Sequence, residues 1–135
     1  MNDVHVRVCV GGEHYALPVE GVLEVAELGD VTPVPGAPPS VVGVRNLRGK
    51  LITVADLAIL FGLDRRGDSQ RIVVAQDGDR WAGLAVESVL DVATVQPTEA
   101  AESKYLRGAA LVDGALVGVV DLPAAFDALT GAGFP

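Results

Sequence analysis

An internal duplication constrains the fold of this chain more than any other feature. Residues 19–26, VEGVLEVA, return as residues 86–93, VESVLDVA. Residues 49–57, GKLITVADL, return as residues 114–122, GALVGVVDL, and a phenylalanine follows each copy four residues later. A period of about 65 residues is too long for a solenoid repeat and suits a small β-barrel that occurs twice. Two similar lobes would leave a cleft between them, and clefts bind partners.

Composition favours short strands joined by tight turns. Hydrophobic residues make up 50% of the chain but aromatic residues only 4%, so the core must consist of Val, Leu, Ile and Ala. Such a composition with many Gly and Pro residues is typical of β structure.

The tripeptide Leu47-Arg48-Gly49 also recurs, as Leu106-Arg107-Gly108. We therefore expect an all-β chain with two related lobes, at about residues 14–66 and 70–121, and terminal segments that pack across both.

Three β-hairpins follow from alternating apolar residues and turn dipeptides. Valines at every second position from Val4 to Val10 predict a strand with one buried face, and Gly11-Gly12 predicts a turn after it. The cross-strand pairs of this hairpin should be Val8 with Tyr15, Val6 with Leu17, and Val4 with Val19. The other two hairpins should turn at Asp77-Gly78 and Asp113-Gly114.

Two aspartates predict two short helices, one at the end of each half. The predicted segments are 57–61, capped by Asp56 and stopped by Gly62, and 122–129, capped by Asp121 and stopped by Gly131. Four prolines make residues 32–40 an extended loop, and the polar residues 62–70 should connect the halves. Residues 19–26 fit either a helical turn or a strand, and we favour a turn that leads into a strand.

Charge and cysteine content exclude several classes of protein. A net charge of −8 and a pI near 4.5 oppose a nucleic-acid surface, which needs basic residues. From the sequence we expect no transmembrane segment and no signal peptide, and the single cysteine, Cys9, has no internal partner. We expect a protein of the reducing cytoplasm that is not inserted into a membrane.

Candidate catalytic and metal sites are weak. Cys9 and His14 fall opposite each other in the first hairpin. A nucleophile also needs an orienting group and an oxyanion site, and we expect an exposed hairpin at the edge of its sheet to supply neither. His5, His14 and Cys9 are too few ligands for a good metal site, although a weak one between His5 and Cys9 stays open. Asp56 and Asp121 recur in both halves, and helix capping explains them better than paired catalytic carboxylates. We expect no enzyme and no cofactor.

One stretch resembles a known family. Residues 42–57 read VGVRNLRGKLITVADL and follow the proline-rich residues 33–39. Together they resemble the signature of the CheW-like domain, found in chemotaxis coupling proteins: a proline-punctuated loop, then G-V-x-N-L-R-G, then an apolar strand that ends in D-L. Residues 15–25, 85–92 and 105–122 are similar to further segments of that family, in the same order. The resemblance extends from Val4 to about Leu129.

This resemblance implies a fold, a function and partners. The fold would be two pseudo-symmetric SH3-like barrels of five strands each, with two short helices. The function would be that of a non-catalytic bacterial adaptor that couples a CheA-type histidine kinase to methyl-accepting chemoreceptors. One lobe would dock the kinase regulatory domain, and the groove between the lobes would receive the helical receptor tip. The protein would then be cytoplasmic and recruited to membrane-associated receptor arrays.

The resemblance also implies a protein-binding site. Glu24 and Arg48 match an interacting surface pair of the family, and Asn46 and Leu47 belong to the same N-L-R-G motif. Val22 and Val44 match its apolar receptor groove. Arg48 also fits a structural role, bound to loop carbonyls or to Glu24, and the two valines also fit the core.

The sequence departs from the family pattern at two positions and leaves alternatives open. Ala55 replaces a larger apolar residue, and Glu87 replaces the usual aspartate. A coupling protein of a chemotaxis-like pathway that controls pili, development or second messengers is the nearest alternative. A small cysteine-dependent or metal-dependent enzyme is the alternative of a different class.

Overall fold

The computed structural model describes residues 3–63, 69–101 and 103–130 of the chain. The chain forms ten strands, a 3₁₀ turn at Val19–Gly21 and two helices. The strands are β1 (Val4–Val10), β2 (Glu13–Pro18), β3 (Val22–Glu27), β4 (Val41–Leu47), β5 (Lys50–Asp56), β6 (Arg71–Asp77), β7 (Arg80–Val86), β8 (Ser88–Thr94), β9 (Leu106–Val112) and β10 (Ala115–Val120). The helices are α1 (Leu57–Leu60) and α2 (Leu122–Thr130).

The strands form two five-stranded sheets with matching topology. One sheet has the order β3-β6-β7-β5-β4 and the other β8-β1-β2-β10-β9. In each sheet the contact between the third and fourth strands is parallel, β7 with β5 and β2 with β10, and the remaining contacts are antiparallel. The predicted pseudo-symmetry is confirmed, and the repeated segments 19–26 and 86–93 contain equivalent strands, β3 and β8.

The two sequence repeats exchange their hairpins. Strands β3, β4 and β5 share a sheet with the hairpin β6–β7 of the second repeat, whereas β8, β9 and β10 share a sheet with β1–β2 of the first. The sheets therefore divide the chain differently from the expected lobes at 14–66 and 70–121. The reason is the parallel pairing of β5 with β7 and of β10 with β2, which attaches each hairpin to the other repeat.

Both sheets close into barrels, hereafter barrel 1 (β3 to β7) and barrel 2 (β1, β2 and β8 to β10). The chain beyond β3 returns against β4, where Thr32 and Val44 exchange two backbone hydrogen bonds of 2.8 and 2.9 Å. The chain beyond β8 returns against β9 in the same way, through Glu99 and Ala109, at 3.0 and 2.9 Å. Each seam thus joins the two outer strands of its sheet.

Three apolar clusters form the core. A central cluster combines residues of both sheets and both helices, among them Val8, Leu17, Leu84, Leu57 and Phe126. A second cluster belongs to barrel 2 and a third to barrel 1, as Val117 and Val119 in one and Ile52 and Val54 in the other show. Each barrel thus has a small apolar cluster of its own, and the larger central cluster joins the two barrels.

Two of the three cross-strand pairs predicted for the first hairpin are confirmed. Val6 pairs with Leu17 and Val8 with Tyr15 across Gly11-Gly12. The pairing of Val4 with Val19 is wrong, because β2 ends at Pro18 and Val19 begins the 3₁₀ turn. The other two hairpins are confirmed, although one of them turns at Gly78-Asp79, one residue later than expected.

The expectation that β1 buries only one face is wrong. The side of β1 opposite the valines is covered too, since His5 is 3% exposed and Arg7 8%. Arg7 is paired with Ala16, a member of the barrel 2 cluster, while Val8 faces the central cluster. The hairpin is also not at an edge of its sheet: β1 and β2 lie between β8 and β10, so neighbouring strands cover both of its sides.

Both helices begin as predicted. Asp56 accepts hydrogen bonds from the backbone of Ala58 and Ile59, and Asp121 accepts one from Ala124 at 3.1 Å. Residues 19–26 form a turn that leads into a strand, as favoured, and Gly62 follows α1 with φ 73°. Gly131 and residues 64–68 of the expected connector lie outside the described residues.

One of the sequence matches has no structural counterpart. Leu106-Arg107-Gly108 lies at the start of β9, whereas Leu47-Arg48-Gly49 forms the end of β4 and the turn after it. The structural equivalent of Gly108 is Gly43, since both glycines face the returning chain at a barrel seam. This third match therefore does not follow the structural repeat.

Candidate functional site

The predicted pair Glu24 and Arg48 meets across the seam of barrel 1. Arg48 Nη2 lies 3.2 Å from Glu24 Oε1, and the arginine side chain is 78% exposed. Glu24 lies on β3, and Arg48 lies in the turn that follows β4. Strands β3 and β4 are at opposite ends of the sheet order. Closure of the barrel brings them together. Because Arg48 is largely exposed and Glu24 is half-buried at 29%, the pair remains accessible to a partner and is worth about 0–1 kcal/mol to stability.

The N-L-R-G motif shapes the turn that carries Arg48. Arg48 and Gly49 have φ values of 54° and 83°, the left-handed pair that a two-residue hairpin turn requires. The Asn46 side-chain oxygen accepts a hydrogen bond from the Gly49 backbone N–H at 3.0 Å. Leu47 packs against the barrel 1 cluster. Asn46 and Leu47 therefore fix the turn, and Arg48 projects from it.

The two valines of the expected groove occupy different environments. Val22 is half-buried at the start of β3 and packs against the central cluster. Val44 is half-buried on β4, where it is bonded to Thr32 at the barrel seam. Neither valine is fully buried in the core. Val22 contacts the central cluster and Val44 contacts Thr32, so the structure does not bring the two valines together with the Glu24–Arg48 pair.

Three exposed apolar side chains lie on the strands next to the pair, and sequence reasoning missed them. Leu51, which pairs with Asn46 across the hairpin, is 66% exposed. Leu23 and Val25 flank Glu24 on β3 and are 42% and 44% exposed. The sequence repeat could have identified them, because the equivalent positions of the second half are also apolar: Leu116, Leu90 and Val92.

At the equivalent hairpin, barrel 2 presents two exposed apolar side chains, where barrel 1 has one. Leu111 and Leu116 face each other across β9 and β10 and are 70% and 60% exposed. Leu111 corresponds to Asn46 of barrel 1, so the second barrel is more apolar at this point. Sequence analysis assigned both leucines only to strands, because alternation alone cannot show which face a partner covers.

Cys9 has the environment of an unreactive thiol. It lies opposite His14, as predicted, with its Sγ 3.8 Å from Glu87 Oε2. Burial raises the pKa of the Cys9 thiol, and the Glu87 carboxylate raises it further. The thiolate needed for nucleophilic attack is therefore disfavoured at neutral pH.

The described residues offer neither a metal site nor a membrane-spanning helix. No group of three or more His, Cys, Asp or Glu side chains there is arranged to hold a metal ion. Among the same residues, neither helix has the length and apolar character needed to cross a bilayer.

Comparison with known proteins gives consistent matches. The sequence profile of the CheW-like domain matches residues 5–130. The chain is 32% identical over 128 residues to the chemotaxis protein CheW of Rhizobium meliloti, covering 87% of this chain and 83% of that protein. It is 32% identical over 110 residues to the protein PilI of Pseudomonas aeruginosa, covering 73% and 62% of the two chains.

A solved structure matches the whole architecture. The crystal structure of the scaffolding protein TtCheW from Thermoanaerobacter tengcongensis superposes with a TM-score of 0.79 at 29% identity. The match covers 90% of this chain and 86% of that one. Sequence profile, relatives and architecture agree over nearly the full length, and the chain belongs to the CheW-like domain family.

Proposed function

We propose that this protein is a non-catalytic adaptor that couples chemoreceptors to a CheA-type histidine kinase. The observation that carries the proposal is the exposed Glu24–Arg48 pair, held by the Asn46–Gly49 turn in a chain of the CheW-like family. An accessible ion pair contributes little to the free energy of folding. Its charges can instead pair with those of a partner and give specificity. Signal would pass as a change in kinase geometry, without chemistry on this chain.

The kinase regulatory domain would dock on an apolar patch of one barrel. Barrel 2 offers the most exposed apolar pair among the described residues, Leu111 and Leu116. Large exposed apolar side chains side by side on a rigid hairpin are typical of protein-binding surfaces. A standard interface buries about 1,600 Å² in total, an area that two small barrels can provide.

The receptor tip would dock in the groove between the barrels, at the side of barrel 1. Glu24 and Arg48 would offer both charges to the tip, and the half-buried Val22 and Val44 would supply apolar surface. A helical hairpin presents apolar and charged residues at regular spacing, which such a mixed surface can match. We place this assembly in the cytoplasm, at membrane-associated receptor arrays.

A second candidate function is coupling in a chemotaxis-like pathway. It is supported by the similarity to PilI and to the protein FrzA of Myxococcus xanthus, which is 36% identical over 83 residues. Both functions use the same site and differ in the kinase that is bound. Identifying which kinase of the organism co-purifies with the chain separates them.

A pull-down from native lysate tests the proposal. The wild-type chain should retain a histidine kinase and chemoreceptors, and Arg48→Glu should retain less of at least one of them. Cys9→Ser should retain both, because the thiol has no part in the adaptor function. If wild-type protein retains neither partner, or if Cys9→Ser abolishes retention while Arg48→Glu does not, the adaptor function is contradicted.

A further inference from the structure

Barrel 2 carries an altered copy of the Glu24–Arg48 site. In the repeat, Glu24 corresponds to Asp91 on β8, and Arg48 corresponds to Asp113 in the turn between β9 and β10. The two turns have nearly the same backbone, since φ is 54° and 83° at Arg48 and Gly49, and 50° and 82° at Asp113 and Gly114. The tip of the first turn thus carries a basic residue, whereas the tip of the second carries an acidic one. Asp91 and Asp113 therefore cannot form an ion pair with each other.

Arg7 joins these two acids. Its Nε donates to Asp91 Oδ1 at 2.6 Å, and its Nη2 donates to the other oxygen of the same carboxylate. The Nη2 also lies 3.8 Å from Asp113 Oδ2. The Arg7 side chain is only 10% exposed, whereas the Asp113 side chain is 88% exposed. A nearly buried guanidinium is thereby hydrogen-bonded to β8 and lies within ion-pair distance of the tip of the β9–β10 turn.

Barrel 1 shows that this arginine is not a requirement of the barrel fold. Arg7 pairs with Asp91 across β1 and β8, as Val74 pairs with Glu24 across β6 and β3. Val74 is 1% exposed and belongs to the apolar cluster of barrel 1. An apolar residue at the equivalent position completes the first barrel, so the barrel fold itself does not require an arginine here.

We propose that Arg7 is a positioning residue for the kinase-docking surface of barrel 2. It clamps the β9–β10 turn to β8 and so fixes the orientation of Leu111 and Leu116, which flank that turn. The bidentate guanidinium restricts both distance and angle, whereas an ammonium group would keep the charge and lose the fork. The docking part of this inference rests on the proposed function, and the clamp rests on the geometry alone.

Three variants test the inference by hydrogen exchange and by calorimetry with the kinase regulatory domain. Arg7→Lys keeps the charge and removes the fork. Asp113→Asn removes the exposed acid at a left-handed position that asparagine tolerates, so this variant should fold even if Arg7→Lys does not. Arg71→Lys is the matched control, because Arg71 makes an ordinary surface pair with Glu27 at 3.6 Å.

Arg7→Lys and Asp113→Asn should each speed amide exchange in residues 111–116 and leave the barrel 1 turn at 48–51 unchanged. Both should weaken kinase binding by about fivefold or more, the lower end of ordinary coupling between sites. Arg71→Lys should change neither quantity. If Arg7→Lys and Asp113→Asn both show wild-type amide exchange in residues 111–116 and wild-type affinity for the kinase, the inference is overturned.

The outcomes also separate this inference from the proposed function. Absence of kinase binding by the wild-type chain would contradict the proposed function and the docking role together. Slower or unchanged exchange in residues 111–116 of Arg7→Lys would contradict the clamp even where the kinase binds. Faster exchange with unchanged kinase affinity would overturn the docking role of Arg7 and leave the proposed function intact.

Discussion

Three neighbouring residues of the N-L-R-G motif have separate tasks in one turn. Asn46 bonds the backbone of Gly49, Leu47 anchors the turn in barrel 1, and Arg48 reaches Glu24 across the seam. The sequence resemblance identified these residues, and the Glu24–Arg48 contact was expected from it. The reasons for Asn46 and Leu47 required the structure, because the turn conformation and the barrel seam bring together positions far apart in sequence.

Charge reversal at the site should affect binding more than folding. Arg48→Glu places another non-glycine residue at φ 54°, so it adds no backbone strain beyond that of the wild type. The lost pair is exposed and should cost about 0–1 kcal/mol in the free energy of unfolding, while partner binding weakens clearly. Thermal melts and pull-downs of Arg48→Glu and Glu24→Arg check this. An unfolded Arg48→Glu protein would make the residue structural and would contradict the site assignment.

The Arg7–Asp91 pair should make stability depend on acid pH. The hydrogen bond from Arg7 lowers the pKa of Asp91 below its ordinary value. A carboxyl group whose folded-state pKa is lowered stabilises the protein above its unfolded pKa of about 3.9, and that contribution is lost as the pH falls through the folded-state pKa. Urea titrations should show wild type more stable than Asp91→Asn at pH 7, with a difference that shrinks below about pH 4. A difference independent of pH would contradict this role of the pair.

At the scale of elements, local patterns predicted hairpins and caps but not their partners. Alternating valines and the turn at Gly11-Gly12 gave the register of the first hairpin, and Asp56 and Asp121 gave the starts of both helices. The burial of Arg7 was not predictable, because alternation shows that two faces differ and does not show what covers each one. The exposed Leu111 and Leu116 were missed for the same reason.

Two glycines allow each barrel to close. A Cβ atom at Gly43 would lie 2.1 Å from the Thr32 carbonyl oxygen, and one at Gly108 would lie 2.8 Å from that of Glu99. Both distances are far below van der Waals contact, and the neighbour is backbone that cannot move without opening the seam. The same close approach in both barrels supports their equivalence.

Alanine at Gly43 should therefore destabilise the protein by about 1–3 kcal/mol, the usual cost of overpacking. Gly36→Ala is a suitable control, because a Cβ atom there would meet no atom within 4 Å and only the cost of φ 80° remains. Urea unfolding of both variants measures the difference. If Gly43→Ala is no less stable than Gly36→Ala, the close approach at the seam is not what requires the glycine.

At the scale of the molecule, the exchange of hairpins makes the two repeats interdependent. Each barrel takes three strands from one repeat and a hairpin from the other, and the central cluster draws on both barrels. The duplication in the sequence predicted two related barrels but not the exchange, because a repeat of this kind is compatible with either pairing. The pairing is decided by parallel strand contacts between distant segments, which leave no local pattern.

A half-length chain should consequently fail to fold. Residues 1–66 contain β1 to β5 but lack the hairpin β6–β7 that completes barrel 1. A fragment of about 65 residues also buries little apolar surface, and this one would have no disulfide to compensate. Its amide NMR spectrum should be poorly dispersed, and adding residues 70–135 as a second fragment should improve the dispersion. A well-dispersed spectrum of residues 1–66 alone would contradict the interdependence of the repeats.

The adaptor function requires that this protein bind a kinase without catalysing a reaction. Isothermal titration calorimetry of the purified chain with the regulatory domain of a CheA-type kinase, in the absence of nucleotide and metal, measures this directly. We expect saturable one-to-one binding, weakened when Leu111 and Leu116 on the barrel 2 hairpin are both replaced by serine. Neither heat nor co-elution with any CheA-type kinase of the organism, at concentrations of tens of micromolar, would contradict the adaptor function.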